Sequence, residues 1–277
     1  MRDRIKTMLR VAVGGALLAW LGGSTPVGAA VVFSDNFESG NMNNWTLTTA
    51  GGTGLTASTD QNVVPSGGSF SAKLTTSAAR MHHNLLADNG GAELNGPSTF
   101  TSYVYDASGT ASRIFNEVRG YSGGTGLPNG GTTASGSLAQ LLAIGKYNTV
   151  TLGGEVYDGT KYQARVTFTT AGGTTAGWFN LNGPGAPSRS TGWHKFDIER
   201  LADCTTLNFY VDDILSRTFT GATAQSWDTV ILGPGLGTTA GDAYIDGMQV
   251  TNTGVPEPAA LGLIGVGGLM MLRRRRA

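Results

Sequence analysis

The chain has 277 residues, 19 of them basic and 19 acidic, so its formal net charge at pH 7 is zero. Eight of the basic and two of the acidic residues lie in the first ten and the last 25 positions, which leaves residues 31–254 with 11 basic and 17 acidic residues and a net charge of −6. An acidic domain repels phosphate groups, which argues against binding to nucleic acid. Cys204 is the single cysteine, so an intramolecular disulfide is excluded, and we expect its side chain to be a small buried one.

The amino terminus has the three parts of a secretory signal peptide. Residues 1–10 carry four basic side chains and one acidic one, residues 11–21 are apolar, and residues 26–30 are mostly small. This arrangement predicts a signal peptide over residues 1–30, cut by signal peptidase after Ala29 or Ala30, and therefore an exported protein.

Short β-strands separated by glycine-rich turns are predicted in the next part of the chain. Alternating apolar and polar side chains place them at residues 31–38, 45–47, 69–75, 79–86, 98–105 and 113–121. In the fifth of these strands, Tyr103 and Tyr105 lie on the face opposite Phe100 and Val104. Residues 122–137 are rich in Gly, Thr and Ser and predict a long loop.

The strand pattern continues to the end of the domain. Strands are predicted at residues 161–169, 177–181, 193–200, 207–211, 214–219, 229–232 and 243–250. Residues 138–147 are apolar enough for a strand or a short helix, and we favour a strand. Asp212 and Asp213 are turn residues that predict a hairpin. With twelve to fourteen strands, no amphipathic helix and no internal repeat, the sequence predicts an all-β, two-sheet antiparallel sandwich of the jelly-roll type over residues 31–252.

Several short motifs resemble those of concanavalin A-like (laminin G-like) jelly rolls. Residues 35–40 with Trp45 are similar to the usual first strand, residues 192–196 and 208–212 to the central hairpin region, and residues 244–246 to the closing strand. The resemblance implies two curved sheets, a concave face that binds sugars in lectin members, and often a structural calcium ion. It implies no particular activity, because this fold hosts many.

No catalytic set stands out in the sequence. Asp197 and Glu199 share one strand face, as in the Glu-x-Asp-x-(x)-Glu motif of jelly-roll glucanases, but Lys195 occupies the leading position where a nucleophile is needed. Residues 120–124 match G-x-S-x-G but run into a Gly/Pro-rich loop, whereas a nucleophile elbow leads into a helix. We therefore expect a protein that is not an enzyme, with a polysaccharide hydrolase or lyase as the alternative.

Three carboxylates near the two ends of the domain are candidate calcium ligands. Pairing of the terminal strands would bring Asp35, Glu38 and Asp246 together, and calcium is bound by oxygen ligands. The alternative is that each carboxylate accepts local hydrogen bonds. A zinc site is not expected, because the adjacent His82 and His83 point to opposite faces of a strand.

Four side chains are candidates for a glycan-binding platform: Trp178, Trp193, Tyr210 and Arg189. Aromatic rings present a flat apolar surface with a polar edge, which suits a sugar ring. The alternative is that these aromatic side chains belong to the core of the sandwich. A platform of this kind predicts a carbohydrate-binding module, whereas core positions favour a structural role.

The carboxyl terminus has a motif, an apolar segment and a basic end. The motif consists of Val255, Pro256, Glu257 and Pro258, and the basic end of Arg273, Arg274, Arg275 and Arg276. Between them, residues 259–272 are apolar or Gly; as a helix they would cover roughly 21 Å, less than the ~30 Å hydrocarbon core. The arginines predict a cytoplasmic end and a domain on the far side of the membrane.

Residues 253–277 resemble the PEP-CTERM sorting signal of exopolysaccharide-producing Gram-negative bacteria in motif, short transmembrane helix, basic end and position. The resemblance implies recognition by an exosortase. We therefore expect an exported protein, anchored in the inner membrane before processing and then placed at the cell surface or in the extracellular matrix. Its expected role is structural or glycan-associated, with exopolysaccharide as a partner. Whether the tail is cleaved or retained stays open.

Overall fold

The structure, a computed structural model, describes residues 29–49, 51–62, 67–75, 80–107, 113–146, 155–233 and 243–253. Nearly all of the predicted signal peptide lies outside this part of the chain, as do the sorting motif and the arginine cluster, so these features stay predictions. Among the described residues, no helix has the length and apolar character needed to span a membrane.

The described residues contain fifteen β-strands and no helix. The strands are β1 (Ala30–Asp35), β2 (Thr46–Leu47), β3 (Thr56–Ser58), β4 (Ser71–Leu74), β5 (Met81–Asn84), β6 (Ser98–Asp106), β7 (Ile114–Gly126), β8 (Ser135–Lys146), β9 (Gln163–Thr170), β10 (Gly173–Asn180), β11 (Gly192–Arg200), β12 (Leu207–Val211), β13 (Ile214–Phe219), β14 (Thr229–Leu232) and β15 (Ala243–Asn252).

The strands form two antiparallel sheets, which confirms the predicted all-β architecture. Sheet I has the order β13-β12-β11-β6-β15-β4-β3, with β1 also paired to β15, and sheet II has the order β10-β9-β8-β7-β14-β5-β2. The first and last strands pair, with Ala30 opposite Asn252 and Asp35 opposite Met248. Both ends of the described domain therefore meet in sheet I.

The core lies between the sheets and is built by alternation along each strand. On β9, Ala164, Val166 and Phe168 are buried in the main core, while Arg165 and Thr167 face outward. Sheet I contributes side chains such as Phe196 to the same cluster. Each fully buried side chain of this size contributes roughly 1.5–3 kcal/mol, and a one-residue slip would expose the whole set, so the alternation determines the register.

The predicted loop 122–137 is largely a hairpin. Strand β7 continues to Gly126 and β8 starts at Ser135, with a register shift between Ser122 and Gly126. A Cβ on Gly124 would lie 2.3 Å from the backbone nitrogen of Gly136, so the two arms approach more closely than other residues allow. The glycines that suggested a loop are therefore required by an irregular strand pair.

Two turns of sheet I show opposite outcomes for the sequence predictions. Asp212 and Asp213 have φ of 50° and 64° and join β12 to β13, which confirms the predicted hairpin. Cys204, expected to be buried, is half-buried in the turn between β11 and β12, where its φ is 55°. Its amide donates a hydrogen bond to the carbonyl of Leu201, so this position serves the turn and not the core.

Candidate functional site

A polar groove crosses the outer face of sheet I. One cleft of about 490 Å³ lies between the end of β1, the β15 segment 247–249 and Thr101, Tyr103 and Lys195. A second cleft of about 270 Å³ is lined by β6, β11 and β12 residues, again including Thr101 and Lys195. Because the two clefts share these side chains, they form one continuous surface, which we call the sheet I groove.

Strand register brings the groove residues together. Tyr103 lies opposite Lys195, Thr101 opposite Asp197, and Thr99 opposite Glu199 across the β6–β11 pair. These positions alternate with core residues along both strands, so their side chains all point to the outer face of sheet I.

A bulge in β15 shapes the first cleft. The register of β15 against β6 shifts between Asp246 and Gln249, and Gly247 within the shift has φ of 53°. A Cβ on Gly247 would lie 2.8 Å from Cδ2 of Tyr103. Glycine is therefore needed both for the backbone conformation and for the close approach of the tyrosine ring.

Lys195 links two carboxylates in the second cleft. Its Nζ lies 2.6 Å from Oδ1 of Asp213 and 3.1 Å from Oδ2 of Asp197. Burial acts to lower the pKa of Lys195, but the hydrogen bonds and charges of these two carboxylates outweigh it and raise the pKa to about 12. The lysine therefore stays cationic at neutral pH and is already paired.

Asp197 and Glu199 have different surroundings. The Asp197 carboxyl accepts a hydrogen bond from Oγ1 of Thr101 at 2.5 Å, and burial raises its pKa, although Thr101 and Lys195 act in the opposite direction. The Glu199 carboxylate accepts hydrogen bonds from the Tyr210 hydroxyl at 2.7 Å and from Nδ2 of Asn208 at 3.2 Å. Neighbouring side chains thus hold both carboxyl groups in fixed orientations. A carboxylate has more acceptor sites than these contacts use, which suits further hydrogen bonding to hydroxyl groups.

Aromatic side chains continue the outer face of sheet I at one end of the groove. The rings of Trp193 and Tyr105 meet edge to face at a centroid distance of 5.6 Å, and Tyr105 meets Tyr244 in the same way at 6.0 Å. Trp193 and Tyr105 are half-buried, so part of each ring remains accessible. The predicted alternation of Tyr103 and Tyr105 on β6 was a sequence signal for this surface, but nothing in the sequence placed Tyr244 beside them.

The structure divides the four predicted platform residues. Trp193 and Tyr210 both lie on the outer face of sheet I. Trp178 is on the outer face of sheet II and only 1% exposed, packed with Phe115 at a centroid distance of 4.5 Å. Arg189 lies in the segment before β11, where its guanidinium donates to Oδ2 of Asp106 at 3.3 Å and to the Tyr157 hydroxyl at 3.2 Å.

The three predicted calcium ligands are engaged by local donors. Asp35 accepts from the Phe37 amide at 2.7 Å and from Nε1 of Trp45 at 2.8 Å. Glu38 accepts from the amides of residues 69 and 70, and the buried Asp246 from the amide that follows it at 2.7 Å. Within the described ranges, no group of three or more His, Cys, Asp or Glu side chains could hold a metal ion. Each carboxylate thus accepts local hydrogen bonds, and calcium binding at these positions stays a prediction.

The remaining candidates also have clear positions. Ser122 lies within β7, which continues as a strand and pairs with β8, so the G-x-S-x-G match leads into no helix. His82 and His83 point to opposite faces of β5, as expected: Nε2 of His82 lies 3.0 Å from the Pro128 carbonyl oxygen, and the His83 ring stacks on Phe33 at 3.9 Å.

No protein-family model and no curated protein matches this sequence. Similar solved structures exist. The globular domain of T. cruzi calreticulin is 10% identical with a TM-score of 0.51, covering 87% of this chain and 95% of that domain. A carbohydrate esterase from the Shiga toxin-encoding bacteriophage phi24B is 14% identical with a TM-score of 0.49, covering 81% and 99%. A glycoside hydrolase family 16 endo-glucanase from Bacteroides ovatus is 12% identical with a TM-score of 0.47, covering 79% and 100%.

At these identities the likeness concerns the fold alone, and we rest it on the calreticulin domain. The class of protein that emerges is a jelly-roll β-sandwich, consistent with the concanavalin A-like fold expected from the sequence motifs.

Proposed function

We propose that this chain is an exported bacterial envelope or matrix protein whose sheet I groove binds a glycan. The observation that carries the proposal is the groove itself, which is lined by hydroxyl, amide and charged side chains. The partly exposed rings of Trp193 and Tyr105 lie on the same face of sheet I, next to the Lys195–Tyr103 pair of the groove. Ligand sites in proteins combine apolar, often aromatic, walls with a few polar groups that orient the ligand. Sugar rings have both kinds of surface, because their hydroxyl groups form hydrogen bonds and their C–H faces pack on aromatic rings.

The proposed role at this groove is binding without bond cleavage. Lys195 occupies the position that a third carboxylate would need, and it holds Asp197 and Asp213 in ion pairs. Release of reducing sugars from a polysaccharide, lost on Asp197→Asn and Glu199→Gln, would overturn this part of the proposal in favour of a hydrolase.

Affinity electrophoresis of the domain in gels containing the exopolysaccharide of its host tests the binding. We expect retardation that falls by about tenfold in apparent affinity for Trp193→Ala, because loss of one stacked ring removes about 1–1.5 kcal/mol. Tyr210→Phe keeps the ring but removes the hydroxyl bound to Glu199, so a smaller loss is expected.

The matched control is Leu138→Ala, which truncates a 42% exposed apolar side chain on β8 of sheet II. It should bind as the parent protein does. Equal retardation of Trp193→Ala and the parent, with both folded, would overturn binding at this face.

The route to the envelope is proposed from the sequence of the two ends. The predicted signal peptide supports export, and the resemblance of residues 253–277 to PEP-CTERM signals supports recognition by an exosortase. Mass spectrometry of the intact protein from its host is the test. We expect a mature form that begins near residue 31 and lacks Arg273–Arg276, and we expect Pro256→Ala to leave the unprocessed form in the membrane. A mature form that retains the arginines would overturn processing.

A further inference from the structure

We propose that the sheet I groove selects uncharged, hydroxyl-rich glycans and rejects polyanionic ones such as polyuronates and sulfated polysaccharides. This inference rests on the proposed glycan-binding function and adds the class of ligand. It follows from the charges and the hydrogen-bonding polarity of the groove.

The lining of the second cleft carries an excess of negative charge. Asp197, Glu199 and Asp213 face a single cation, Lys195, in this cleft, and the lining of the first cleft adds Asp35 and no further cation. The Nζ of Lys195 already contacts two of these carboxylates, at 3.1 and 2.6 Å. A uronate entering the groove would therefore meet an excess of carboxylates and a lysine whose charge is already neutralised.

Hydrogen-bonding polarity points to the same class of ligand. The hydroxyl groups of Thr101 and Tyr210 donate their protons to Asp197 and Glu199, at 2.5 and 2.7 Å. The second cleft, which these four residues line, thus presents oxygen lone pairs and takes donors from its ligand. Sugar hydroxyl groups donate and accept, whereas an ionised carboxylate or a sulfate only accepts. Hydrogen bonds from neutral hydroxyl groups to a carboxylate are the stronger, charge-assisted kind.

The wider field of the domain reinforces the local charges. Residues 31–254 carry 17 acidic and 11 basic residues. Near the aromatic end, Nζ of Lys73 lies 5.6 Å from the centre of the Tyr244 ring and 2.5 Å from Oδ2 of Asp60. Long polyanions are therefore repelled before contact. Added salt weakens this repulsion, because 0.1 M salt largely screens exposed charges that are more than ~10 Å apart.

One polymer in two charge states gives a matched pair of probes. Polygalacturonate and its carboxyl-reduced form share the same linkages and differ only in whether C6 is a carboxylate or an alcohol. We expect the full domain, in EDTA and at low salt, to bind the carboxyl-reduced polymer at least tenfold more tightly than the native one. Added salt should reduce the difference in affinity between the two polymers.

Variants that each remove one carboxylate charge test whether the preference for the uncharged polymer arises in the groove. Glu199→Gln and Asp213→Asn should each reduce the ratio of affinities by about threefold, because each removes one negative charge from the groove. Asp158→Asn is the control: it also removes one exposed charge, keeps an oxygen acceptor for Thr160, and lies in the turn before β9. Its ratio of affinities for the carboxyl-reduced and native polymers should equal that of the parent protein.

Two results would overturn the inference. The first leaves the proposed glycan-binding function intact, and the second removes it as well. Equal or tighter binding of native polygalacturonate in EDTA would overturn selection by charge while leaving glycan binding at the groove intact. Binding of neither polymer, together with no binding of host exopolysaccharide, would remove the proposed function and this inference with it.

Discussion

The outer faces of the two sheets carry similar kinds of side chain, but they expose them to different extents. On sheet I, Trp193 and Tyr105 are half-buried beside an open groove. On sheet II, Phe115 and Trp178 are at most 1% exposed, and together with Leu141 and Ala143 they form a separate apolar cluster. Aromatic side chains on the two outer faces are therefore not equally accessible to a ligand.

The charged groups of the two faces differ in the same way. On sheet II, the Glu117 carboxylate is 1% exposed and bound by Arg119 at 2.8 and 2.5 Å, with Arg80 at 3.6 Å. On sheet I, the side chain of Asp213 is 75% exposed and that of Lys195 is 28% exposed. Buried ion pairs are costly to break, whereas exposed ones contribute little, so sheet II is the face that stability depends on and sheet I the face available for binding.

Truncation of one tryptophan on each face is expected to produce the largest contrast. Trp178→Ala should lower the free energy of unfolding by roughly 3–5 kcal/mol, because a buried indole leaves a cavity. Trp193→Ala should cost about 1–2 kcal/mol, since its ring is only partly buried. Urea unfolding of the two variants measures both values, and similar losses for the two would contradict the assignment of the faces.

Removal of one carboxylate charge on each face is expected to give the next largest difference. Glu117→Gln should destabilise by roughly 3 kcal/mol, because the Arg119 guanidinium is left buried without a counter-charge. Glu199→Gln should change the stability by less than about 1 kcal/mol, since its partners Tyr210 and Asn208 are neutral and the amide retains an acceptor. Denaturant midpoints at constant m-value are the measurement, and a stable Glu117→Gln variant would show that the pair is dispensable.

Substitution of Gly247 tests how the groove is shaped. Gly247→Ala should destabilise by roughly 2 kcal/mol and move the Tyr103 ring, because the new Cβ meets the ring and φ is positive. Gly221→Ala is the control: its φ is 74° with no atom within 4 Å of the added Cβ, so strain alone should cost about 1 kcal/mol. Thermal melts and glycan retardation of both variants decide whether the clash or the strain matters.

The pKa values of two histidines should be shifted in opposite directions from the ordinary value. Burial lowers the pKa of His82 on the outer face of sheet II. His194 lies behind the groove with Nδ1 at 2.7 Å from Oδ2 of Asp212; burial acts to lower its pKa, but this carboxylate outweighs burial and raises it. NMR titration should place the pKa of His194 above the ordinary value of about 6.5 and that of His82 below it.

The two shifts have opposite effects on stability. The contribution of His194 is fully present below about pH 6.5 and is lost as pH rises through its raised pKa. The contribution of His82 is present above about pH 6.5 and is lost as pH falls through its lowered pKa. Asp212→Asn should abolish the first dependence and leave the second, and a pH profile unchanged by that variant would contradict the pairing.

Local sequence patterns predict most of the strands, but they do not predict which side chains from distant strands lie together on the outer face of each sheet. The hairpin at Asp212 and Asp213 and the alternation of β9 follow from turn chemistry and period-2 hydrophobicity, and both are confirmed. The sequence predicts a loop for residues 122–137, where the structure has the arms of a hairpin, because glycine composition does not distinguish a loop from a bulged strand pair. Trp178 and Trp193 have similar strand contexts, so nothing local separated the buried ring from the accessible one.

The sequence by itself determines the all-β class, the alternation that directs core residues inward, and the turns that connect neighbouring strands, because these depend on side chains close together in the chain. The tertiary structure alone decides that β1 meets β15, that Tyr105, Trp193 and Tyr244 share one surface, and that Lys195 lies between Asp197 and Asp213. These juxtapositions depend on strand order and register between distant segments. Both are selected by packing of the whole sandwich and not by any short motif.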